Sequence, residues 1–219
     1  MSKQASDFMA QGDYRKALDT SFVHRYSHGE DEWSWDIGMI QAAQAFLERL
    51  DPRADQHVLD IGVGRGRDAS TFILAGHRVT GLDIVENSSW PLLRKRWGDR
   101  LDLVNKAMQD WQPAPGTVFD AALDNGCFHH QHPDEWGAYL AHVRRLLRPG
   151  ALVGLNVFGV DAAHPQPGWR EMDNQRQGYF FTDDGIRQTL EAHGFTWEGL
   201  EVIERQHGEA RYLLALVRT

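Results

Sequence analysis

His57-Val58-Leu59-Asp60-Ile61-Gly62-Val63-Gly64-Arg65-Gly66-Arg67-Asp68 reads as a buried strand, a glycine turn and the start of a helix. Val58, Leu59 and Ile61 are the apolar strand residues, and Gly62, Gly64 and Gly66 follow at a spacing of two. Glycine at such positions permits positive φ and lets the backbone approach a ligand closely. Asp68 to Ala75 has helical character, and Gly76 suits the position just past its end. A helix N-terminus is thereby aimed at whatever the turn holds.

The glycine spacing separates two classes of cofactor. A dinucleotide turn, G-x-G-x-x-G, needs glycine at position 67, where Arg67 stands. The pattern here is acidic-x-G-x-G-x-G, with Asp60 near the strand's end. A carboxylate facing the turn repels a diphosphate and suits a cationic cofactor that carries no phosphate. The next strand-like run, Arg78 to Leu82, ends at Asp83. That lies about 20 residues beyond the turn, the distance at which an acidic side chain meets ribose hydroxyls.

Val58 to Gly66 and Val79 to Asp83 resemble the first and second motifs of the class I S-adenosylmethionine-dependent methyltransferases. The resemblance runs from about Val58 to the C-terminus. It implies an α/β, Rossmann-like, doubly wound sheet of seven strands, order 3-2-1-4-5-7-6, with strand 7 antiparallel and helices on both faces. It also implies S-adenosylmethionine as cofactor, with Asp60, Gly62, Gly64 and Gly66 at its amino-acid end and Asp83 at its ribose. In Ala107-Met108-Gln109-Asp110-Trp111, Asp110 is expected at the adenine amine, with Met108 or Trp111 stacked on the ring. Ile84, Gln109 and Asn125 complete the expected cofactor contacts.

The chain has 219 residues, which suits one α/β domain with an N-terminal addition. We divide it into an N-terminal helical lid or substrate segment, 1–52, and a methyltransferase domain, 53–219. A net charge of −8 argues against a nucleic-acid footprint. Cys127 is the single cysteine, so no internal disulfide can form, which suits a cytoplasmic protein. Met1 to Asp7 lack the apolar core of a signal peptide, and no run approaches a membrane span. A monomer or homodimer is expected. In the N-terminal segment Tyr14 to Leu18 suggest a short helix, and Trp33 and Trp35 are candidate acceptor contacts. A further helix is expected with Ile37, Ile40, Phe46, Leu47 and Leu50 toward one face.

Chemistry is expected where the fourth strand, Phe119 to Leu123, runs into Asp124-Asn125-Gly126-Cys127-Phe128-His129-His130. Ligands of open α/β sheets bind at such strand ends. The run resembles small-molecule members of the family, among them relatives of tellurite-resistance and thiol methyltransferases. Asp124, His129 and His130 are the candidate bases, required only if the acceptor arrives protonated. His129, His130 and His132 do not match structural zinc spacings, so no metal is expected.

Residues 159–181 read as a long irregular loop, and long loops in compact domains are usually functional. Trp169, Arg170 and Tyr179 are its candidate substrate contacts. Thr182 caps a last helix. Trp197 to Glu204 and Arg211 to Val217 form an antiparallel hairpin through a turn at Gln206 to Glu209. The reading is methyl transfer to a small-molecule oxygen, nitrogen or sulfur. The alternatives are an NAD(P)-dependent oxidoreductase and a non-enzymatic module that binds S-adenosylmethionine.

Overall fold

β1 (His57–Ile61), β2 (Arg78–Asp83), β3 (Leu101–Asn105), β4 (Phe119–Asn125) and β5 (Leu147–Gly159) are parallel neighbours in a computed structural model. The structure describes residues 9–52, 55–162, 165–172, 175–205 and 211–219. β8 (Thr196–Glu204) and β9 (Arg211–Arg218) complete a seven-stranded sheet of order β3-β2-β1-β4-β5-β9-β8, with β9 antiparallel to β5. This is the expected topology; only the numbering changes, because an extra hairpin precedes the last two strands. The expected turn at Gln206 to Glu209 lies outside the described residues.

Both faces of the sheet are covered, and strand alternation sorts the core into two layers. Val58 and Leu123 join Phe46, Phe72 and Trp90 on one face. Leu59, Ile61 and Leu155 join Phe128, Tyr139 and Leu140 on the other. α3 (Arg67–Leu74) and α4 (Trp90–Trp97) follow β1 and β2; α5 (Trp136–Leu146) and α6 (Asp183–Ala192) follow β4 and the hairpin. The Thr182 hydroxyl accepts from the Gly185 amide and so caps α6 as expected. Among the described residues, no helix is long and apolar enough to cross a membrane.

Three expectations change. The short helix at Tyr14 is one part of α1 (Gln11–His28), 18 residues long. α2 (Ile37–Glu48) exists, but it buries Met39, Ala42, Ala43 and Phe46 and leaves Ile37 and Ile40 exposed. Asp36 fixes that rotation by accepting from the Gly38 and Met39 amides at the helix start. α2 thus belongs to the core layer, and Phe46→Ala there costs about 3–5 kcal/mol. The stretch 159–181 is not irregular throughout: β6 (Gly168–Glu171) and β7 (Gln177–Phe180) pair as an antiparallel hairpin.

Candidate active site

A cavity of about 870 Å³ opens at the C-terminal edge of the sheet, beside β1 and β4, where the strand order reverses. One end is built by the glycine turn. Gly62 has φ 81°, and a Cβ there would stand 2.1 Å from the Cys127 sulfur. Gly64 has φ 49°, and a Cβ there would meet the Tyr26 hydroxyl at 2.7 Å. Only glycine meets both demands, so strand, loop and α1 close on the turn without obstruction. Ile61, Gly62, Asp83, Ile84, Met108 and Asp110 line this end.

Asp83 ends β2 and accepts from the Gly64 and Val85 amides, both at 2.9 Å. Burial pushes its carboxyl up to about 6, against the pull of those amides. Asp60 lies deeper and does not line the cavity. Burial, with the Asp68 carboxylate beside it, holds it well above the usual carboxylate range. Gly64 and Gly66 shape the turn without forming the wall. Among the described residues, Arg65 pairs with Asp31 through two bonds of 2.5 and 2.7 Å, and Arg67 pairs with Asp68 and the Trp33 carbonyl. With its arginines engaged internally and carboxylates around it, the turn suits a sulfonium nucleoside and not a diphosphate.

Of the residues expected at the adenine, Met108, Gln109 and Asp110 reach the wall. Gln109 donates to Gln131 at 2.7 Å, and the exposed Asp110 pairs with Arg15 of α1 at 3.1 Å. Trp111 turns into the core instead, 6.0 Å from the Phe119 ring, which leaves Met108 as the apolar wall residue. Asn125 reaches the wall while donating to Asp68 at 2.7 Å.

The opposite end is aromatic. Phe22, Trp33, Phe158 and Tyr212 line it together with His129, whose ring lies 3.9 Å from that of Phe158. His129 is 1% exposed; the Asn156 backbone lies near enough to favour its protonated form, but neither ring nitrogen closes a hydrogen bond among the described residues. Burial first, then His130, Arg176 and Arg205, hold its pKa well below the ordinary imidazole value. His129 is therefore neutral at physiological pH, able to donate one hydrogen bond and accept another. His130 also lines the cavity, but its Nδ1 lies 2.6 Å from the Gln177 carbonyl, which can only accept; Nδ1 carries a proton. Trp35 stands at the mouth, 74% exposed.

Asp124 does not line the cavity. It accepts from the Cys127 and Phe128 amides and from the Tyr139 hydroxyl at 2.6 Å, and so it staples the end of β4. Trp169, Arg170 and Tyr179 also stand off the wall: Trp169 and Tyr179 pack around Trp136, and Arg170 covers the Phe180 ring. Their hairpin contributes Met172 and Arg176 instead. Sequence reading also passed over Phe22, Tyr26, Arg205 and Tyr212, which no local spacing singles out. Burial pushes the Cys127 thiol up, so it stays protonated beside Gly62. Among the described residues, no three His, Cys, Asp or Glu side chains gather to hold a metal ion.

Comparison with known proteins agrees with this geometry. A family model described as a methyltransferase domain matches residues 58–150. The crystal structure of Burkholderia thailandensis 1,6-didemethyltoxoflavin-N1-methyltransferase, with bound 1,6-didemethyltoxoflavin and S-adenosylhomocysteine, superimposes with a TM-score of 0.90. It is 35% identical and covers 97% of this chain and 91% of that one. An O-methyltransferase from Pyrenophora dematioidea is 29% identical over 175 residues; the match takes in 74% of this chain and 61% of that protein's length. The [4+2]-cyclase SpnF shares the fold at 18% identity, with a TM-score of 0.67 over 82% of this chain and 80% of its own. The chain belongs to the class I S-adenosylmethionine-dependent methyltransferases, and S-adenosylmethionine is its methyl donor.

Proposed function

We propose that the protein methylates a ring nitrogen of a small, planar heteroaromatic acceptor. The observation that carries the reading is the aromatic end of the cavity, where Phe22, Trp33, Phe158 and the uncharged His129 ring line the same space as Gly62. Flat rings bind between such faces by offset or edge contacts. The 35% identical Burkholderia enzyme, matched along almost the whole chain, is named for N1 methylation of such a ring.

Asp83 and Ile84 hold the donor's ribose, Met108, Gln109 and Asp110 its adenine, and Gly62 its amino-acid end, with Asn125 alongside. Asp60, Gly64, Gly66 and Trp111 act from behind the wall, by shaping the turn and the adenine loop. Trp33 and Trp35 contact the acceptor, as the described residues 9–52 of the N-terminal segment (1–52) close over the methyltransferase domain (53–219). Trp169, Arg170 and Tyr179 support the hairpin that brings Arg176 to the site. His129 orients the acceptor through its free ring nitrogens, and His130 holds the hairpin through Gln177.

The bound donor supplies a methyl group already activated on a sulfonium. The protein's task is to hold the acceptor nitrogen in line with it, which can supply on the order of 7–11 kcal/mol. The partner is a free small molecule and not a nucleic acid. Incubation with S-adenosylmethionine and 1,6-didemethyltoxoflavin tests the reading. Mass spectrometry should find one added methyl, and fragmentation should place it on ring nitrogen. Methylation of oxygen instead would bring the enzyme nearer its Pyrenophora dematioidea relative and overturn the nitrogen assignment.

A further inference from the structure

Two guanidiniums reach the aromatic end of the cavity from separate parts of the chain. Arg176 precedes β7 and lies 5.1 Å from the Phe22 ring centre and 5.5 Å from that of Trp33. Arg205 follows β8 and lies 5.3 Å from the ring of Phe158 and 5.2 Å from that of Tyr212. Both line the cavity, and both are near enough to His129 to depress its protonation. Among the described residues that line the cavity, the buried carboxylate near them is Asp36. Its Oδ1 is engaged by the α2 amides, and its Oδ2 lies 3.8 Å from Arg205 and 3.3 Å from the Tyr212 hydroxyl. Glu32 stands at the exposed rim. His130 faces the same space with its Nδ1 turned to Gln177.

We infer that the acceptor is bound and methylated as a monoanion, a planar heteroaromatic that has lost its ring N–H proton, with its charge spread between Arg176 and Arg205. The inference rests on the function proposed above and names the form of substrate the site selects. Three features point the same way. The cations lie against the rings that line the aromatic end of the cavity. The unpartnered His129 nitrogens, buried in the same wall, can hydrogen-bond ring heteroatoms without adding charge. Finally, two carboxylates near these rings are already engaged: Asp124 is held behind the wall by amides and Tyr139, and Asp36 is taken up by amides and Arg205.

The proton passes to solvent as the acceptor binds. The nitrogen lone pair then forms the N–CH3 bond, the C–S bond breaks, and the sulfonium becomes a neutral thioether. The acceptor's negative charge and the donor's positive charge cancel in the step. The methylated ring is neutral and has lost its attraction to the arginine pair, which favours its release.

The test uses 1,6-didemethyltoxoflavin bound to the full chain with S-adenosylhomocysteine, its ionisation followed by absorbance as pH is varied. The bound ring N–H should titrate at least one unit below the free compound, a tenfold change in its ionisation constant. Arg176→Gln and Arg205→Gln should each return most of that shift, while Arg176→Lys and Arg205→Lys keep part of it. A measurement on the unaltered protein guards against misfolded variants: the neutral N1-methylated product should bind at least tenfold more weakly than the acceptor. A bound acceptor with an unshifted or raised ionisation constant, or a product held as tightly as the acceptor, overturns the anion and leaves the substrate class standing. If the compound does not bind at all, the substrate class falls and the anion with it.

Discussion

Asp83 and Asp124 stand at the ends of the two strands that flank β1, and both carboxyls are pushed up to about 6, yet they do different work. Asp83 faces the cavity, and Asp83→Asn should weaken S-adenosylhomocysteine binding tenfold or more by calorimetry, since a ribose hydroxyl then meets a weaker acceptor. An unchanged dissociation constant would remove Asp83 from the ribose. Asp124 serves the fold. Its carboxyl is raised by burial to about 6, although Tyr139 and two amides favour the ionised form. The unfolded chain releases the same proton near 3.8. The folded state therefore binds that proton more tightly. The associated stability is present below about pH 4 and is lost as pH rises through 6, by roughly 3 kcal/mol. Asp124→Asn can keep the amide contacts through Oδ1 and offers Tyr139 an amide in place of a charge. The melting temperature of the variant minus that of wild type should be most favourable above pH 7 and fall as pH drops toward 4. A difference that does not change with pH would mean that Asp124 carries no such burden.

At the scale of elements, the arginines of the glycine turn tie the cofactor loop to the proposed lid. Arg65 grips Asp31, which is 1% exposed, and Arg67 holds the Trp33 carbonyl at 2.8 Å. Tyr26 stands between them, its hydroxyl over Gly64 and 3.3 Å from the Trp33 indole nitrogen. Arg65→Ala leaves Asp31 with the Ser34 hydroxyl as its side-chain donor, at a cost of about 1–3 kcal/mol. We expect the acceptor KM to rise tenfold or more and S-adenosylhomocysteine affinity to change far less. Equal losses for both ligands would show that the pair braces the turn alone. The parts of the fold that were legible in the chain follow this same division. β1 to β4 declare themselves by short apolar runs, and the turn by glycines that nothing else can replace. α1 does not, because its apolar residues form no continuous stripe and it is held by single contacts: Tyr14 bonds to the His130 and Gln177 carbonyls, and Arg15 pairs with Glu135 and Asp110. β6 and β7 were hidden because the aromatics that mark the hairpin, Trp169 and Tyr179, pack against Trp136, which is distant in sequence. The residues proposed for the donor stand out by their spacing at strand ends. Those proposed for the acceptor do not, since Arg176 and Arg205 converge only after folding.

For the whole molecule, the cavity lies between layers that no single element spans: α1 and the segment after it on one side, strand ends below, the hairpin, Arg205 and β9 beyond. A ligand there bridges them all, so its binding energy should appear as global stability. At a hundredfold excess over its dissociation constant, S-adenosylhomocysteine contributes about 2.7 kcal/mol. For a chain of this size that is a rise of roughly 5–11 °C in melting temperature. NADH at the same concentration should leave the melt unmoved, because Arg65 and Arg67 are held by Asp31 and Asp68 and offer a diphosphate nothing. The shared fold of the cyclase SpnF makes this a test of the site and not of the architecture, which alone specifies no chemistry. Hydrogen exchange locates the effect. α1 meets the cofactor end through the Arg15–Asp110 pair and the Tyr26 hydroxyl above Gly64, so added protection should extend from the strand ends into residues 11–36. Protection confined to the ends of β1, β2 and β4 would mean that the N-terminal segment closes without reference to the donor. The acceptor pocket would then be assembled before the cofactor arrives, and an order of binding with the donor first would have no structural basis.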